Sequence, residues 1–319
     1  MKLCVLIPAF NEEQTISEVI HRIPESLQSV DDIFSLVVDD GSTDRTVQLA
    51  KAAGAVVVSH SHNKGVGGAF ATGLNTALEM GADIMVNIDA DGQFSPDEIP
   101  LLIGPIIAGE ADFVAGNRFT KQEGKLIRPP KMSALKFWGN KQMSRLISML
   151  SGQHFDDVSC GFRAYSKEAM MQLNLTGKFT YTQETFLDLA NKELVIKSVP
   201  VHVTYYSERK SRVAGNIGQY LYRTLNIILR AYRDYRPLKF FIILGAFPFL
   251  IGLIASIFTL VHYLNTGSIT PYKSVGLIGL YLVSLAFILW IVGLLADMFV
   301  RIRLYQEKIL YYEKKQRYE

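Results

Sequence analysis

Cysteine is scarce in this chain of 319 residues, which contains only Cys4 and Cys160. Two cysteines are too few for a disulfide framework or for the ligands of a zinc site, and they are typical of a reducing compartment. The pattern GxGxxG does not follow the first apolar run, and the P-loop pattern is also absent. The first absence excludes a nucleotide-dependent dehydrogenase, and the second makes the glycine-rich run at 63–69 a weak phosphate-binding signal by itself.

Charge is also low, at 20% of the residues, while hydrophobic residues make up 49% and the mean hydropathy is +0.17. Such values are apolar for a wholly soluble protein. The excess lies in residues 240–264 and 275–296, which contain no charged residue. At about 1.5 Å per residue, each run can cross a hydrocarbon core about 30 Å thick. The sequence therefore predicts a transmembrane hairpin over 239–300, with spans at about 240–264 and 275–299.

Positive charge flanks the two apolar runs. The flanking cations are Arg223, Arg230, Arg233, Arg236 and Lys239 before the first run, and Arg301, Arg303, Lys308, Lys314, Lys315 and Arg317 after the second. The connection over 265–274 contains one lysine. The positive-inside rule predicts that both termini, including a basic tail over 301–319, are cytoplasmic. Cations beside a membrane favour anionic lipid headgroups as partners over nucleic acid.

The first 120 residues alternate strand-like runs with helical patterns. The runs are Leu3–Ile7, Ser35–Val38, Ala55–Val58, Ile84–Ile88 and Phe113–Ala115. This alternation predicts an α/β domain over 1–212 with a mostly parallel, doubly wound, Rossmann-like sheet. Ligands of such sheets bind beyond the carboxyl ends of the strands. We therefore expect the functional residues in 8–13, 39–42 and 89–93, while 121–212, with a helix near 133–150, forms the second half of the domain.

Between the α/β domain and the apolar runs, residues 215–236 carry apolar side chains at three- and four-residue spacing with interspersed arginines. This spacing predicts an amphipathic helix over 213–238. We expect this helix to be interfacial and to lie on the membrane surface, and a helix packed against the preceding domain is the alternative.

Asp89 and Asp91 follow the buried strand that ends at Ile88. Two carboxylates this close repel each other, so a cation is expected between them. Mg²⁺ binds through one or two carboxylates and takes substrate phosphate oxygens as further ligands, which would neutralise charge on a leaving diphosphate. Acidic residues after strands are also common turn formers.

Two further segments suit a nucleotide. Asp39 and Asp40 follow the second strand and form either a turn before a helix cap or an acceptor for the N–H and O–H donors of a base or ribose. Asn63 to Ala69 is rich in glycine and opens a helical pattern that ends near Met80. Glycines before a helix permit close approach of the backbone to phosphate.

In this order, the motifs resemble the family-2 inverting glycosyltransferases of the GT-A fold, and among them the polyprenyl-phosphate sugar transferases such as dolichyl-phosphate mannose synthase. The matching motifs are IPAFNEE at 7–13, VVDDGSTD at 37–44, NKGVGGAFATG at 63–73, NIDADGQ at 87–93, GNRF at 116–119 and DDVSCGFRAYS at 156–166, followed by Glu184. The resemblance covers roughly residues 3–212.

The resemblance implies a cytoplasmic GT-A domain anchored by two transmembrane helices. It implies transfer of a sugar from a UDP- or GDP-sugar to polyprenyl or dolichyl phosphate, with inversion and with Mg²⁺ or Mn²⁺. The product would be a lipid-phosphate-linked monosaccharide at the cytoplasmic membrane face. The nucleobase, the sugar, the lipid and the oligomeric state stay open, and a homodimer or homotetramer is compatible with the two-span anchor.

The resemblance also implies roles for individual residues. The nucleotide-sugar residues are Pro8, Phe10, Glu12, Asp39, Asp40, Gly67, Asp89 and Gln93. The metal ligands are Asp89, Asp91 and Gln93, and the catalytic residues are Asp91, Arg118, Asp157 and Arg163. The acceptor phosphate would be bound by Arg118, Arg128, Arg209 and Arg212. Because 121–140 matches the family only loosely, Lys131 or Lys136 could replace Arg128.

Asp157 matches the residue usually proposed as catalytic base in the family. A phosphomonoester has a second pKa near 6 and is already mostly ionised at pH 7. Since no proton then has to be removed, Asp157 could instead orient an arginine or the sugar hydroxyls.

Two other functions are considered. A membrane polysaccharide synthase of the same family would carry a QxxRW motif, and neither Trp138 nor Trp290 lies in one. A catalytically silent membrane scaffold would not need both Asp89 and Asp91. The sequence therefore favours the lipid-phosphate sugar transferase.

Overall fold

The computed structural model describes residues 1–122, 125–174, 181–205, 229–230 and 232–318. They form two compact units, one of residues 1–220 and 308–319 and one of residues 221–307. The strands are β1 (Lys2–Ala9), β2 (Asp32–Asp39), β3 (Val56–Ser59), β4 (Ile84–Asn87), β5 (Phe113–Asn117), β6 (Thr120–Gln122), β7 (Lys125–Ile127), β8 (Arg163–Ser166) and β9 (Ile196–Pro200). The helices are α1 (Ile16–His21), α2 (Thr46–Ala52), α3 (Val66–Glu79), α4 (Ile99–Ile107), α5 (Ala134–Ser151), α6 (Lys167–Gln172), α7 (Tyr181–Asn191), α8 (Pro237–Thr266) and α9 (Lys273–Tyr318).

The first unit contains a seven-stranded sheet in the order β3-β2-β1-β4-β8-β5-β9. All neighbouring strands in it are parallel except β8, which runs antiparallel to both β4 and β5. The five strands predicted in the first 120 residues are confirmed, and the sheet is mixed and GT-A-like. The sequence did not predict β8, because its four residues are too short a run to show a period.

The sheet is covered on both faces, so its inner strand β1 is apolar at successive positions. Leu3, Cys4, Val5, Leu6 and Ile7 of β1 are all fully buried. A strand buried on both faces loses the alternation of a half-exposed strand, as expected for parallel sheets. Apolar residues of α1 and α4 share one core cluster with the β1 residues Leu3, Val5 and Ile7.

The second unit contains α8 and most of α9. Both helices have a mean hydropathy of 2.5 in their most apolar window and are long enough to cross a membrane, and 11% of each window is buried. Gly252 and Gly279 bring the two helices together, since a Cβ at Gly252 would lie 2.7 Å from the carbonyl oxygen of Gly279. Small residues at such contacts are typical of membrane helix pairs. Their length and composition are those of membrane-spanning helices.

Helix α9 extends past residue 299, the predicted end of the second span. It continues without a break to Tyr318, so the basic segment 301–319 is helical as far as it is described. The last residues of α9 belong to the first unit, where Lys314 Nζ donates to the Leu173 carbonyl and to Asn174 Oδ1, both at 3.1 Å. The amphipathic helix predicted over 213–238 falls largely on residues outside the description; residues 229–230 and 232–235 are helical.

Candidate active site

The loops that follow β1 and β2 are joined by reciprocal hydrogen bonds. The Asn11 amide donates to Ser42 Oγ at 2.9 Å, and the Thr43 amide donates to Asn11 Oδ1 at 2.8 Å. Asn11 adopts a positive φ of 54°, which asparagine tolerates better than most residues. The Glu12 amide donates to Thr46 Oγ1 at 2.8 Å. These contacts hold Pro8, Phe10 and Glu12 at the same edge of the sheet as Asp39.

A third loop, which follows β4, is attached to the first. Thr15 Oγ1 donates to the Ala90 carbonyl at 2.7 Å and lies 3.3 Å from Glu12 Oε2. Ala90 lies between Asp89 and Asp91, so one hydroxyl connects the β1 loop with the acidic pair. All three loops therefore form one connected surface at the carboxyl edge of β1, β2 and β4.

Asp39 and Asp40 are both 3% exposed but have different partners. Asp39 Oδ1 accepts from the Ser42 amide at 3.0 Å. Asp40 accepts from the amides of Lys64 and Gly65, each at 2.8 Å, and lies 2.8 Å from His60 Nδ1. Both carboxylate oxygens of Asp40 are thus bound by protein groups, and they hold the glycine-rich loop in front of α3, where Gly67 lies buried in the first turn.

Asp89 and Asp91 place two carboxylates close enough to repel each other. Burial and, to a smaller extent, the neighbouring Asp91 carboxylate raise the pKa of Asp89, while Arg118 and Arg163 oppose the shift, and the resulting pKa is about 6. The Asp89 carboxylate lies against the backbone of Gly161, where an added Cβ would come within 2.8 Å of Asp89 Oδ2. Asp91 Oδ1 accepts from the Gln93 amide at 3.0 Å. The site is therefore electrostatically suited to a cation.

The residues present fit Mg²⁺ or Mn²⁺. Within the described part of the chain, no three His, Cys, Asp or Glu side chains are grouped to hold a metal by themselves. Asp89 and Asp91 supply two carboxylates, and hard divalent cations complete such a set with water and substrate phosphate oxygens. The predicted third ligand, Gln93, lies at the end of the same loop, and its backbone carbonyl accepts from the Thr204 amide at 2.9 Å.

Arg118 and Asp157 form a buried bidentate pair. Arg118 Nε and Nη2 donate to the two oxygens of Asp157 at 2.7 and 2.9 Å. The amides of Arg118 and Ser159 donate to the same oxygens at 3.2 and 3.0 Å. Burial lowers the pKa of Arg118, but Asp157 outweighs this effect and the net shift is upward. Each oxygen of Asp157 thus has two protein donors, and its side chain is 0% exposed.

Arg163 is fully buried and its donors bind the protein itself. Its guanidinium donates to the carbonyls of Cys160, Thr182 and Val158 at 2.6, 2.8 and 3.0 Å. It also lies 5.0 Å from the centroid of the Phe186 ring. Two of the three carbonyls belong to the loop over 157–161, which contains both Asp157 and the glycine beneath Asp89. Arg163 therefore supports this loop from inside.

Lys136 is a further cation near the acidic pair. It lies in the first turn of α5, after the N-cap Ser133. Burial lowers the pKa of Lys136, and the nearby Arg118 lowers it further, whereas Asp91 raises it. Its ammonium group therefore interacts electrostatically with both Arg118 and Asp91. Arg128 lies exposed between β7 and α5, while Arg209 and Arg212 fall outside the described residues.

The family model named glycosyl transferase family 2 matches residues 4–173, which include all the strands and loops that form this site except β9. The chain belongs to glycosyl transferase family 2.

Two relatives of this family-2 chain are named for their activities. The UDP-N-acetylglucosamine–dolichyl-phosphate N-acetylglucosaminyltransferase of Methanococcus voltae is 36% identical over 225 residues, which cover 63% of this chain and 85% of that protein. The undecaprenyl-phosphate mannosyltransferase of Micrococcus luteus is 31% identical over 226 residues, which cover 68% of this chain and 89% of that protein.

Solved structures support the family-2 fold. Glucosyl-3-phosphoglycerate synthase from Mycobacterium tuberculosis, in complex with Mn²⁺, UDP-glucose and phosphoglyceric acid, matches with a TM-score of 0.55 and 25% identity. The match covers 71% of this chain and 79% of that chain. Another complex of that synthase contains Mg²⁺ and UDP and has a TM-score of 0.51.

The sequence did not predict two polar residues of the family-2 site. His60 is the first residue after β3, and its ring bridges Asp40 and Thr72, with 2.9 Å between His60 Nε2 and Thr72 Oγ1. Its position at a strand end could have identified it by the same rule that identified Asp39. Thr15 has no such signal, because it lies a turn beyond the strand and reaches Ala90 only through the fold.

Proposed function

We propose that this chain transfers a sugar from a nucleotide-sugar to the phosphate of a polyprenyl or dolichyl lipid, with inversion at the anomeric carbon. The two relatives described above act, by their names, on dolichyl phosphate and undecaprenyl phosphate. The membrane helices support such an acceptor, because a long lipid presents its phosphate only at the bilayer surface.

The observation that carries this proposal is the state of Asp157. Both of its oxygens are bound by Arg118 and by backbone amides. A carboxylate engaged in this way is a poor general base for a hydroxyl acceptor. A phosphate acceptor is already ionised near pH 7 and needs no base. Asp157 instead orients the Arg118 guanidinium towards the acceptor phosphate.

The residues divide into two groups of opposite charge. Asp89 and Asp91, with Gln93 beside them, would hold Mg²⁺ or Mn²⁺, which would neutralise the negative charge on the leaving diphosphate. The loops around Pro8, Phe10, Glu12 and Asp39 bind the nucleoside. Arg118 and Lys136 attract the acceptor phosphate.

The reaction is a single displacement. A lipid phosphate oxygen attacks the anomeric carbon from the side opposite the nucleoside diphosphate. The bond from this carbon to the diphosphate oxygen breaks, and the electron pair leaves with the diphosphate. The configuration inverts, and no proton is transferred.

For Asp40 and Arg163 we infer structural roles in place of ligand contacts. Asp40 holds the loop before α3, and Arg163 holds the loop that carries Asp157. We infer that Lys136 binds the acceptor phosphate in place of Arg128. The same role for Arg209 and Arg212 stays a prediction.

We also propose that both termini and the catalytic domain are cytoplasmic, which rests on the cations that flank the apolar runs. The donor is a UDP- or GDP-sugar. UDP-sugars are the first donors to test, because the Methanococcus voltae relative is named for a UDP-sugar and the solved neighbours contain UDP. A homodimer or homotetramer stays a prediction.

The test is a donor screen on the full-length protein in detergent. UDP- and GDP-sugars are offered with undecaprenyl phosphate or dolichyl phosphate and Mg²⁺ or Mn²⁺, and the lipid is followed by mass spectrometry. We expect the lipid phosphate to gain the mass of one sugar, and a chelator to stop the reaction. Asp91→Ala is the inactive control, and Asp97→Asn, which changes an exposed carboxylate, is the active one.

The matched acceptor control is the same lipid as a free alcohol. Transfer to the alcohol at an equal rate would contradict the phosphate acceptor. Repeated addition of sugars to one acceptor would favour the polysaccharide synthase, and a chain without turnover or donor binding would favour the scaffold.

A further inference from the structure

The outer face of α5 is an exposed surface that the proposed reaction does not use. Leu135, Trp138 and Met149 are 37%, 51% and 62% exposed, and Arg145 is exposed as well. Their spacing of three, seven and four residues puts them on one face of the helix. The opposite face, which includes Met143 and Ile147, is buried in the first unit. These four exposed residues are called the α5 outer face below.

The segment of the chain that carries this face has charge of one sign. From Leu126 to Phe155 the chain contains no Asp or Glu, although the whole chain is nearly balanced with 33 Lys and Arg against 30 Asp and Glu. The same segment contains five cations, which are Arg128, Lys131, Lys136, Lys141 and Arg145. The surface is therefore both apolar and cationic.

We propose that the α5 outer face lies in the headgroup layer of an anionic bilayer. Tryptophan is enriched at the membrane interface, where its ring meets the acyl boundary and its N–H stays among polar groups. Arg and Lys beside it attract anionic lipids while their aliphatic stems lie along apolar surface. The chain already carries two membrane-length helices, so a bilayer is available to this surface.

Two other occupants fit less well. A second copy meeting this face in a symmetric dimer would place identical cations against each other without an acid between them. A nucleic acid would use the cations but would leave Leu135 and Met149 without apolar partners. A bilayer satisfies the apolar and the cationic residues together.

The position of the face also bears on the acceptor. Lys136 lies in the same helical turn as Leu135 but is an electrostatic neighbour of Arg118 and Asp91. The first turn of α5 thus presents the site on one side and the apolar surface on another. The link to the acceptor rests on the proposed function, while the contact with the bilayer does not.

Fluorescence can test the contact, because Trp138 and Trp290 are the only tryptophans. Trp290→Phe leaves Trp138 as the single reporter in the full-length chain. The protein is placed in nanodiscs of phosphatidylcholine and phosphatidylglycerol whose acyl chains carry bromine near the headgroup. We expect a loss of Trp138 fluorescence relative to unbrominated lipid, and little quenching by aqueous iodide.

The positive control is Trp138→Phe, in which Trp290 reports from α9 and should be quenched by bromine. The negative control is Leu101→Trp in a chain without Trp138 and Trp290, since Leu101 is 52% exposed on α4. Arg145→Glu in the single-Trp138 chain should reduce the bromine quenching. Replacing phosphatidylglycerol by phosphatidylcholine should reduce it as well.

Three outcomes would overturn the proposal. Trp138 quenched by iodide but not by bromine lies in water. Trp138 protected from both lies in a protein interface. Bromine quenching that changes neither with Arg145→Glu nor with the charge of the lipid would contradict the proposed attraction between this face and anionic headgroups. Because no donor or acceptor is present, none of these outcomes depends on the proposed reaction.

Discussion

At the scale of single residues, the pairing of Arg118 with Asp157 decides how the site is interpreted. A carboxylate in a family motif can be assigned as a general base from the sequence. Its hydrogen-bond partners in the fold determine whether it can act as one. Four N–H donors bind the two oxygens of Asp157, so this carboxylate positions a cation.

We therefore expect Asp157→Asn to slow turnover by about tenfold, which corresponds to about 1.4 kcal/mol in the barrier. Arg118 keeps its charge in this variant but loses its bidentate partner, so KM for the lipid phosphate should rise as kcat falls. The measurement is steady-state kinetics with the lipid phosphate varied. Asp156→Asn, at the neighbouring position, is the control. A loss as complete as that of Asp91→Ala would restore the role of base.

Arg163 gives a second prediction at this scale. A lysine cannot reproduce three hydrogen bonds that diverge from one planar guanidinium, so Arg163→Lys should destabilise the chain by about 3 kcal/mol or more. The measurement is thermal unfolding in detergent, and Arg145→Lys on the exposed face of α5 is the control. A variant with unchanged stability but a raised KM for the lipid phosphate would show that Arg163 contacts the acceptor.

At the scale of elements, the contact between α3 and β1 depends on one glycine. A Cβ at Gly73 would lie 2.2 Å from Leu6 Cδ1, a distance that requires Leu6 or the helix to move. The helix that starts beside the nucleotide loop can therefore approach the sheet closely only because residue 73 has no side chain.

We expect Gly73→Ala to lower the free energy of unfolding by about 1–3 kcal/mol, the usual cost of overpacking. Gly104→Ala is the matched control, because nothing lies within 4 Å of a Cβ at this position in α4. It should be neutral or stabilising by up to about 1 kcal/mol, since alanine favours helix over glycine. Denaturant unfolding of both variants checks the difference, and equal effects would contradict the close approach.

At the scale of the whole molecule, α9 belongs to both compact units. Its last turns contact the first unit through Lys314 and through Tyr311, whose hydroxyl donates to Glu168 Oε2 at 3.1 Å. Lys314 binds the carbonyl of Leu173, where α6 ends, and a cation at a helix C-terminus is favourable.

Lys314→Ala should therefore destabilise the first unit by about 1 kcal/mol, and deletion of 308–319 should have a larger effect. The measurement is the rate of limited proteolysis of the full-length protein in detergent, with cleavage sites mapped by mass spectrometry. Gln316→Ala, at an exposed position of the same helix, is the control. Equal proteolysis of all variants would mean that the tail does not support the catalytic unit.

The sequence by itself determined the features that depend on local pattern. The strands of the first 120 residues, the two long apolar helices and the order of the family-2 motifs are all visible in short windows, because burial and secondary structure impose a period on neighbouring residues. The loops after β1, β2 and β4 could be placed at one edge of the sheet, since parallel strands point their carboxyl ends the same way.

Only the tertiary structure decided which side chains meet. The insertion of β8 between β4 and β5 turns Arg163 into the interior, and the pairing of Arg118 with Asp157 joins residues 39 positions apart. The exposed α5 outer face likewise emerges only when the other side of that helix is packed. No local period encodes these contacts, because they depend on strand order and on the few side chains that the folded chain brings within hydrogen-bond distance.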